Sequence, residues 1–104
     1  MDQASGTPVK FDIYEGGRLV RSEVLTERTI KIGKLSSSHV RIDDESVSRM
    51  HAVVEVAGPD EVVLLDLGSA TGTYVNGEAI TKRALRSGDN VQFGKVRVVV
   101  TIAG

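Results

Sequence analysis

The chain has 104 residues, which is enough for one domain with a single hydrophobic core. Its 13 basic and 14 acidic residues nearly cancel, so no long-range field attracts nucleic acid or an acidic membrane. The absence of cysteine excludes disulfides, thiolate catalysis and cysteine-ligated metals. The longest apolar stretch, around residues 98–102, is far shorter than the ~20 residues that span a bilayer. We therefore expect a cytoplasmic protein with no nucleic-acid partner and no direct membrane insertion.

The hydrophobic pattern predicts short strands along the whole chain. Residues 1–8 are small and polar and indicate a flexible leader, after which apolar and polar residues alternate. The predicted strands lie near residues 9–13, 18–25, 30–32, 40–42, 52–56, 62–67, 74–75, 79–80, 91–93 and 96–102. No window shows the apolar stripe of a helix. We therefore predict one all-β domain over residues 9–104, a two-sheet β-sandwich of about 10 to 11 short, mainly antiparallel strands.

Three loops between these strands are longer than plain turns and carry unusual polar residues. They are residues 33–39, 43–51 and 66–73, which we call the first, second and third polar loops. Hydroxyls and exposed backbone N–H groups donate hydrogen bonds to an anion, and lysine or arginine supplies positive charge. Loops on a rigid sandwich are also where binding residues usually lie. Composition alone gives this interpretation little weight, because serine, glycine and aspartate also simply form turns.

The three loops also match a known set of motifs in order and spacing. The matching blocks are Gly33-Lys34, Ser48-Arg49-Met50-His51 and Asp66-Leu67-Gly68-Ser69-Ala70-Thr71-Gly72-Thr73-Tyr74-Val75-Asn76-Gly77. They resemble the Gly-Arg, Ser-x-x-His and Asp-x-x-Ser-x-Asn-Gly-Thr-x-x-Asn-Gly motifs of the forkhead-associated (FHA) family. The resemblance extends over nearly the whole chain and implies a sandwich of the FHA and SMAD type that binds phosphothreonine peptides between loops at one end.

The resemblance implies that five residues contact the phosphate or the peptide. Lys34 has the place of an arginine that grips the phosphate, and Ser48 that of a serine that also bonds it. Arg49 follows this serine, at a position that often touches the peptide. Thr71 has the place of an asparagine that holds the peptide backbone, beside Ala70, where the family often has threonine or serine.

Four further residues are expected to support the binding loops rather than contact the ligand. Gly33 permits a tight backbone path, and His51 braces loops as a buried, satisfied histidine. Gly72 belongs to the third motif, and Asn76 forms a turn with Gly77 that also braces a neighbouring loop. The resemblance implies no cofactor, no metal and no catalytic residue.

Lys34 and Thr71 depart from the family pattern. Lysine holds a phosphate as a point charge but lacks the planar fork that makes two parallel bonds. Threonine has one hydroxyl where asparagine has a carbonyl and an amide. Each lost bond is expected to cost ~1–3 kcal/mol, or roughly tenfold or more in affinity.

Other interpretations of the same residues stay open at this point. Arg49 is equally compatible with an ion pair to one of the acids at 43–45, and these consecutive acids could also suggest a metal site, although a solvated face is favoured. A hydrolase triad of Ser48, His51 and Asp66 is disfavoured because no nucleophile elbow accompanies it.

We therefore predict a non-enzymatic interaction module that recruits a phosphothreonine-containing partner in Ser/Thr kinase signalling or regulated assembly. Such a role implies an upstream Ser/Thr kinase, and the small domain is compatible with a place in a larger multidomain chain. The alternative is a degenerate FHA domain that acts as a phosphate-independent docking or oligomerisation module.

Overall fold

A computed structural model describes residues 4–103, and it places 11 strands in this part of the chain. The strands are β1 (Ala4–Glu15), β2 (Arg18–Glu27), β3 (Thr29–Gly33), β4 (Val40–Arg41), β5 (Ala52–Gly58), β6 (Glu61–Asp66), β7 (Thr73–Val75), β8 (Glu78–Ile80), β9 (Lys82–Ala84), β10 (Asp89–Phe93) and β11 (Val96–Ile102). No helix in these residues is long and apolar enough to cross a membrane.

The strands form two sheets. The six-stranded sheet has the order β2-β1-β11-β10-β7-β8, and the five-stranded sheet has the order β4-β3-β5-β6-β9. All pairings are antiparallel except that between β3 and β4. The predicted all-β, mainly antiparallel two-sheet sandwich is therefore confirmed.

The core lies between the two sheets and follows from the period of two in the sequence. Successive side chains of a strand point to opposite faces, so every second residue of β1, from Val9 to Ile13, is buried. The same alternation buries Val54 and Leu64 in the five-stranded sheet and Val98 in the six-stranded sheet. Because both sheets contribute one apolar face, the sandwich holds its end loops on a rigid frame.

Two features differ from the predicted strands. β1 begins at Ala4, so residues 4–8, which were assigned to the flexible leader, lie in a strand; residues 1–3 of that leader lie outside the described residues. Thr7 is buried, and its N–H donates to Ser5 Oγ, which gives this polar segment partners of its own. Strand β9 was not predicted, because Lys82–Ala84 contains no alternating apolar residues; it is held by pairing with β6.

We predict that Leu64→Ala lowers the free energy of unfolding by about 2–5 kcal/mol, because it leaves a cavity in the middle of the core. Leu67→Ala is the matched control, since Leu67 is exposed just beyond the same strand. In urea unfolding, the free energy of unfolding of this control should stay within about 0.5 kcal/mol of that of the original chain. Equal destabilisation by the two variants would contradict this account of the core.

Candidate functional site

Backbone hydrogen bonds join the first polar loop to the second. The N–H of Lys34 donates to the carbonyl of Ser48 at 3.1 Å, and the N–H of Leu35 donates to the carbonyl of Arg49 at 3.2 Å. These bonds follow directly from the end of β3, whose Ile32 carbonyl accepts from the N–H of His51. The proposed phosphate ligands of the two loops are thereby brought to the same end of the sandwich.

The close approach of the two loops requires glycine at position 33. A Cβ on Gly33 would lie 2.2 Å from the carbonyl oxygen of Arg49, a backbone atom that cannot rotate away. Gly33 is itself buried at the end of β3. Any larger residue would separate the first loop from the second.

His51 joins the second loop to the third. Its ring is fully buried, and Nδ1 accepts from the N–H of Ser48 at 3.0 Å. The other ring nitrogen, Nε2, lies 2.9 Å from the carbonyl of Gly72. Because a carbonyl oxygen only accepts, the Nε2 atom carries a proton and donates. The Nδ1 atom accepts and so carries no proton, which makes the ring neutral. The edge-on ring of Phe93, with ring centroids 5.5 Å apart, packs against it.

Ser48 contacts the third loop with its side chain. Its Oγ accepts from the N–H of Ala70 at 3.0 Å. Since this bond uses a lone pair of the oxygen, the hydroxyl proton of Ser48 remains for another acceptor. Ala70 thus contributes to the site through its backbone and not through its side chain.

Asp66 organises the start of the third loop. One carboxylate oxygen accepts from the N–H groups of Gly68 and Ser69, and the other accepts from the hydroxyls of Ser69 and Thr73. Burial alone would raise the pKa of this carboxyl, but the hydrogen bonds from Ser69, Thr73 and Gly68 outweigh burial and hold the pKa below its usual value of 3.8. The charged form of Asp66 is therefore the one that stabilises the loop.

The side chain of Thr71 is bonded within the chain. Its hydroxyl donates to the carbonyl of Ser46 and so ties the third loop to the second. Ser46 is in turn close to Gly94, where a Cβ would lie 2.3 Å from the same carbonyl oxygen. Thr71 consequently offers a ligand only lone pairs of its oxygen, unless it gives up the bond to Ser46.

Two cationic side chains stay free at the site. In the described part of the chain, neither Lys34 nor Arg49 has a hydrogen bond or an ion pair from its side chain. Of the three acids at 43–45, Asp43 lies 4.0 Å from Arg41 and Asp44 lies 3.9 Å from Lys95, and none forms an ion pair with Arg49 in the described residues. Both cations are therefore available to an anionic ligand.

A turn at Asp44 shapes the second loop beside these cations. The Oδ2 atom of Asp44 accepts from the N–H and the hydroxyl of Ser46 at 3.0 and 2.6 Å. These two bonds, assisted by the positive charges of Lys95 and Lys34, hold the pKa of Asp44 below its usual value. Ser46 Oγ also accepts from the N–H of Lys95, so this turn is fastened to the six-stranded sheet.

Asn76 was expected to support the polar loops, but its hydrogen bonds in residues 4–103 go to the segment at the start of β10. It adopts a left-handed backbone with φ of 51° in the turn after β7. Its amide donates to Asp89 and its side-chain oxygen accepts from the N–H of Asn90. Asn76 thus braces the turn before β10, because β7 carries it to the end of the sheet away from Gly72.

The arrangement does not connect Ser48, His51 and Asp66 as a hydrolase would. The His51 ring is bonded to backbone groups of Ser48 and Gly72, and the Asp66 carboxylate is bonded to its own loop. Within residues 4–103, no group of three or more histidine and acidic side chains is placed to hold a metal ion. What the site offers chemically is two free cations and hydrogen-bond donors.

An apolar groove of about 150 Å³ lies next to the cations. It is formed by the outer face of the five-stranded sheet together with the polar loops, and its apolar lining includes Leu35, Met50, Val53 and Leu67. Met50 and Leu67 are exposed. Two of its lining residues, Leu35 and Met50, directly follow Lys34 and Arg49 in the chain.

Sequence reasoning missed three residues that shape the site. Arg41 donates to the carbonyl of Lys34 at 3.0 Å and positions the first loop. Ser46 donates to Asp44 through its N–H and accepts from the Thr71 hydroxyl through its carbonyl. Gly94 leaves room for Ser46, because a Cβ at position 94 would clash with it. No spacing in the sequence marks these contacts, since each joins segments that are close only in the fold.

Comparison with known proteins agrees with this arrangement. The sequence model of the FHA domain family matches residues 30–94, and the chain belongs to the FHA family. It is 41% identical over 76 residues to the glycogen accumulation regulator GarA of Mycolicibacterium smegmatis, covering 73% of this chain and 48% of that protein. It is 40% identical over 76 residues to an oxoglutarate dehydrogenase inhibitor of Corynebacterium jeikeium, covering 73% of this chain and 52% of that protein.

A solved structure supports the same assignment. A structure solved in work on phosphothreonine-dependent FHA domain interactions superimposes on this chain with a TM-score of 0.83 and 28% sequence identity. The superposition covers 93% of this chain and 98% of that one. The chain spans about half the length of the curated relatives that it matches.

We predict that stability falls with decreasing pH as Asp66 and Asp44 are protonated. Both carboxyls have a folded-state pKa below the usual 3.8. Their contribution to the free energy of unfolding is therefore complete above pH 3.8 and is lost as the pH falls from there toward the folded-state pKa. Asp66→Asn should lower stability at neutral pH and flatten this acid dependence, as measured by urea unfolding across the acid range. Asp60→Asn, in the exposed turn between β5 and β6, is the control. An unchanged acid dependence in Asp66→Asn would show that the loop bonds do not favour the carboxylate.

Proposed function

We propose that this chain is a phosphothreonine-peptide-binding module that recruits a phosphorylated partner. The observation that carries the proposal is the pair of free cations, Lys34 and Arg49, beside the free hydroxyl proton of Ser48. A phosphothreonine carries about −1.5 to −2 charges and three strong acceptor oxygens at neutral pH. Two positive charges offset this charge, and the Ser48 hydroxyl with loop N–H groups fills the acceptors.

Membership of the FHA family supports the same ligand class. A structural neighbour of this chain is described in terms of phosphothreonine-dependent interactions. An upstream Ser/Thr kinase is then required to produce the ligand, and a kinase-linked role supports a cytoplasmic location. The names of the relatives describe a regulator and an inhibitor, which favours a binding function over catalysis.

The binding residues act in three groups in this proposal. Lys34 and Ser48 bond the phosphate, and Arg49 adds charge at the rim. Thr71 and Ala70 lie where the peptide backbone passes, while Gly33, His51 and Gly72 hold the loops in place. Since Lys34 is a point charge and the Thr71 hydroxyl is already bonded to Ser46, binding should be weaker than with arginine and asparagine at these positions.

We predict that Lys34→Ala and Ser48→Ala each weaken binding of a degenerate phosphothreonine peptide library at least tenfold, or about 1.4 kcal/mol. Each change removes one charge-assisted bond to the phosphate. The measurement is a calorimetric titration with the unphosphorylated library run in parallel. Lys10→Ala is the matched control, because Lys10 lies on β1 and pairs only with Asp12 at 3.8 Å among the described residues.

The outcome separates the two functions considered. Binding that disappears without phosphate and falls in both variants supports a phosphopeptide reader. Equal binding of both libraries by the original chain would instead favour a phosphate-independent docking module. Phosphate-dependent binding that neither variant changes would move the site elsewhere on the domain.

We predict that Lys34→Arg combined with Thr71→Asn tightens phosphopeptide binding. Arginine restores the planar fork, and an asparagine amide can donate to the Ser46 carbonyl with one N–H and to the peptide with the other. The expected gain is about tenfold or more, from about 1–3 kcal/mol for each bond regained. Affinity that is the same or lower in the double variant would show that the two departures are not what weakens this site.

A further inference from the structure

The edge strands of the two sheets differ sharply in length. Three of them are very short: β4 has 2 residues, and β8 and β9 have 3 each. Short edges present few unpaired backbone groups and so resist pairing with another chain. β2 is different, because it has 10 residues and lies at the open end of the six-stranded sheet.

β2 also exposes apolar side chains. Leu19, Val20 and Val24 are 53%, 45% and 61% exposed. The described residues have five exposed large hydrophobic side chains, and three of them thus belong to this one strand. Its backbone pairs with β1 on one side only, so alternate N–H and C=O groups on the other side have no strand to bond in residues 4–103. A long, apolar and open edge favours a strand partner.

The sequence of β2 identifies that partner. Residues 19–25 read Leu-Val-Arg-Ser-Glu-Val-Leu, a pattern that is symmetric about Ser22 except that arginine stands opposite glutamate. In an antiparallel pair of two copies with the two-fold axis at Ser22, Val20 meets Val24 of the other copy. Arg21 then meets Glu23, and Ser22 meets its own counterpart. Within residues 20–24, the two terminal pairs join valine to valine and the two pairs inside them join opposite charges, and such pairs stabilise a sheet.

The faces of the strand agree with this register. Glu23 lies opposite the buried Phe11 in β1 and so shares the inner face, whereas Val24 lies opposite the exposed Lys10 and shares the outer face. Pairing about Ser22 joins Arg21 and Glu23, which both lie opposite inner-face residues of β1, Ile13 and Phe11. A shift by one residue would set Arg21 opposite Val24 and lose both charge pairs.

Two details bear on how the edge is protected against other strands. Arg21 already pairs with Glu23 of its own chain at 2.8 Å and donates to the carbonyl of Arg41. These charges discourage a generic strand from joining the edge. A second copy instead brings the opposite charge to each of them. The irregularity in the pairing with β1 lies at Val20, between Arg21 and Leu19, so residues 21–25 are in regular register. We propose that β2 is a dimerisation edge, through which two copies of this chain join their six-stranded sheets about Ser22.

A charge-swap experiment tests the proposal. Arg21→Glu and Glu23→Arg each place like charges opposite each other twice in a homodimer, which destabilises it. In an equimolar mixture of the two variants, every such pair is of opposite sign again. We expect the original chain to dimerise in sedimentation velocity, each variant alone to dimerise at least tenfold more weakly, and the mixture to recover the dimer.

Controls separate dimerisation from folding. Arg83→Glu makes the same charge change on β9, another edge strand, where Arg83 pairs with Glu78, and it should leave dimerisation unchanged. Val24→Lys alters an exposed side chain, so it should weaken the dimer while thermal unfolding stays that of a folded domain. A chain that remains monomeric up to ~1 mM, single variants that dimerise normally, or folded variants whose mixture stays monomeric would each overturn the proposal.

Discussion

The neutral ring of His51 is the contact on which the geometry of the polar loops depends. It accepts from the N–H of Ser48 and donates to the carbonyl of Gly72, and so joins the second loop to the third, since Gly72 lies 21 residues beyond His51 in the chain. Because the ring is fully buried, each of these bonds forms without competition from water, and losing either would leave a buried polar atom unsatisfied. The same interaction that stabilises this end of the sandwich also positions the backbone of Ser48, whose side chain is held by the N–H of Ala70.

In this arrangement the loops of the proposed binding site are ordered before a ligand arrives. Ser48 is held on one side by the His51 ring and on the other by the N–H of Ala70, and Gly33 lets the first loop lie directly against its backbone. A ligand therefore meets ordered donors, and little of its binding free energy is spent on ordering loops. The two long cationic side chains, Lys34 and Arg49, are the parts that remain to be ordered, which is where the difference between lysine and arginine matters most.

The period of two in the sequence was sufficient to predict the sandwich, because each strand with one buried face shows it directly. It failed at β9, where Lys82–Ala84 is a strand only because β6 pairs with it, and at residues 4–8, whose small polar side chains give no alternation. The family motifs predicted three loops at one end of the sandwich, and hydrogen bonds do join these loops, while the binding roles of their residues stay a prediction. The motifs did not predict the bond from Thr71 to Ser46 or the position of Asn76 beside Asp89, since such contacts depend on how distant segments pack.

Dimerisation at β2 would change the affinity of the chain for a phosphorylated partner. A site with a lysine in place of arginine, and with a threonine whose hydroxyl is already bonded, offers fewer bonds to each phosphothreonine. A dimer joined at β2 carries two such sites, and none of its pairing residues, 20–24, belongs to a polar loop. A partner with two phosphorylated threonines would bind the second site at an effective concentration that is often in the millimolar range, so its overall affinity can exceed that of one site by roughly 10²–10⁴. Dimerisation would then favour doubly phosphorylated partners, because a weak single site distinguishes between one and two phosphates better than a strong one.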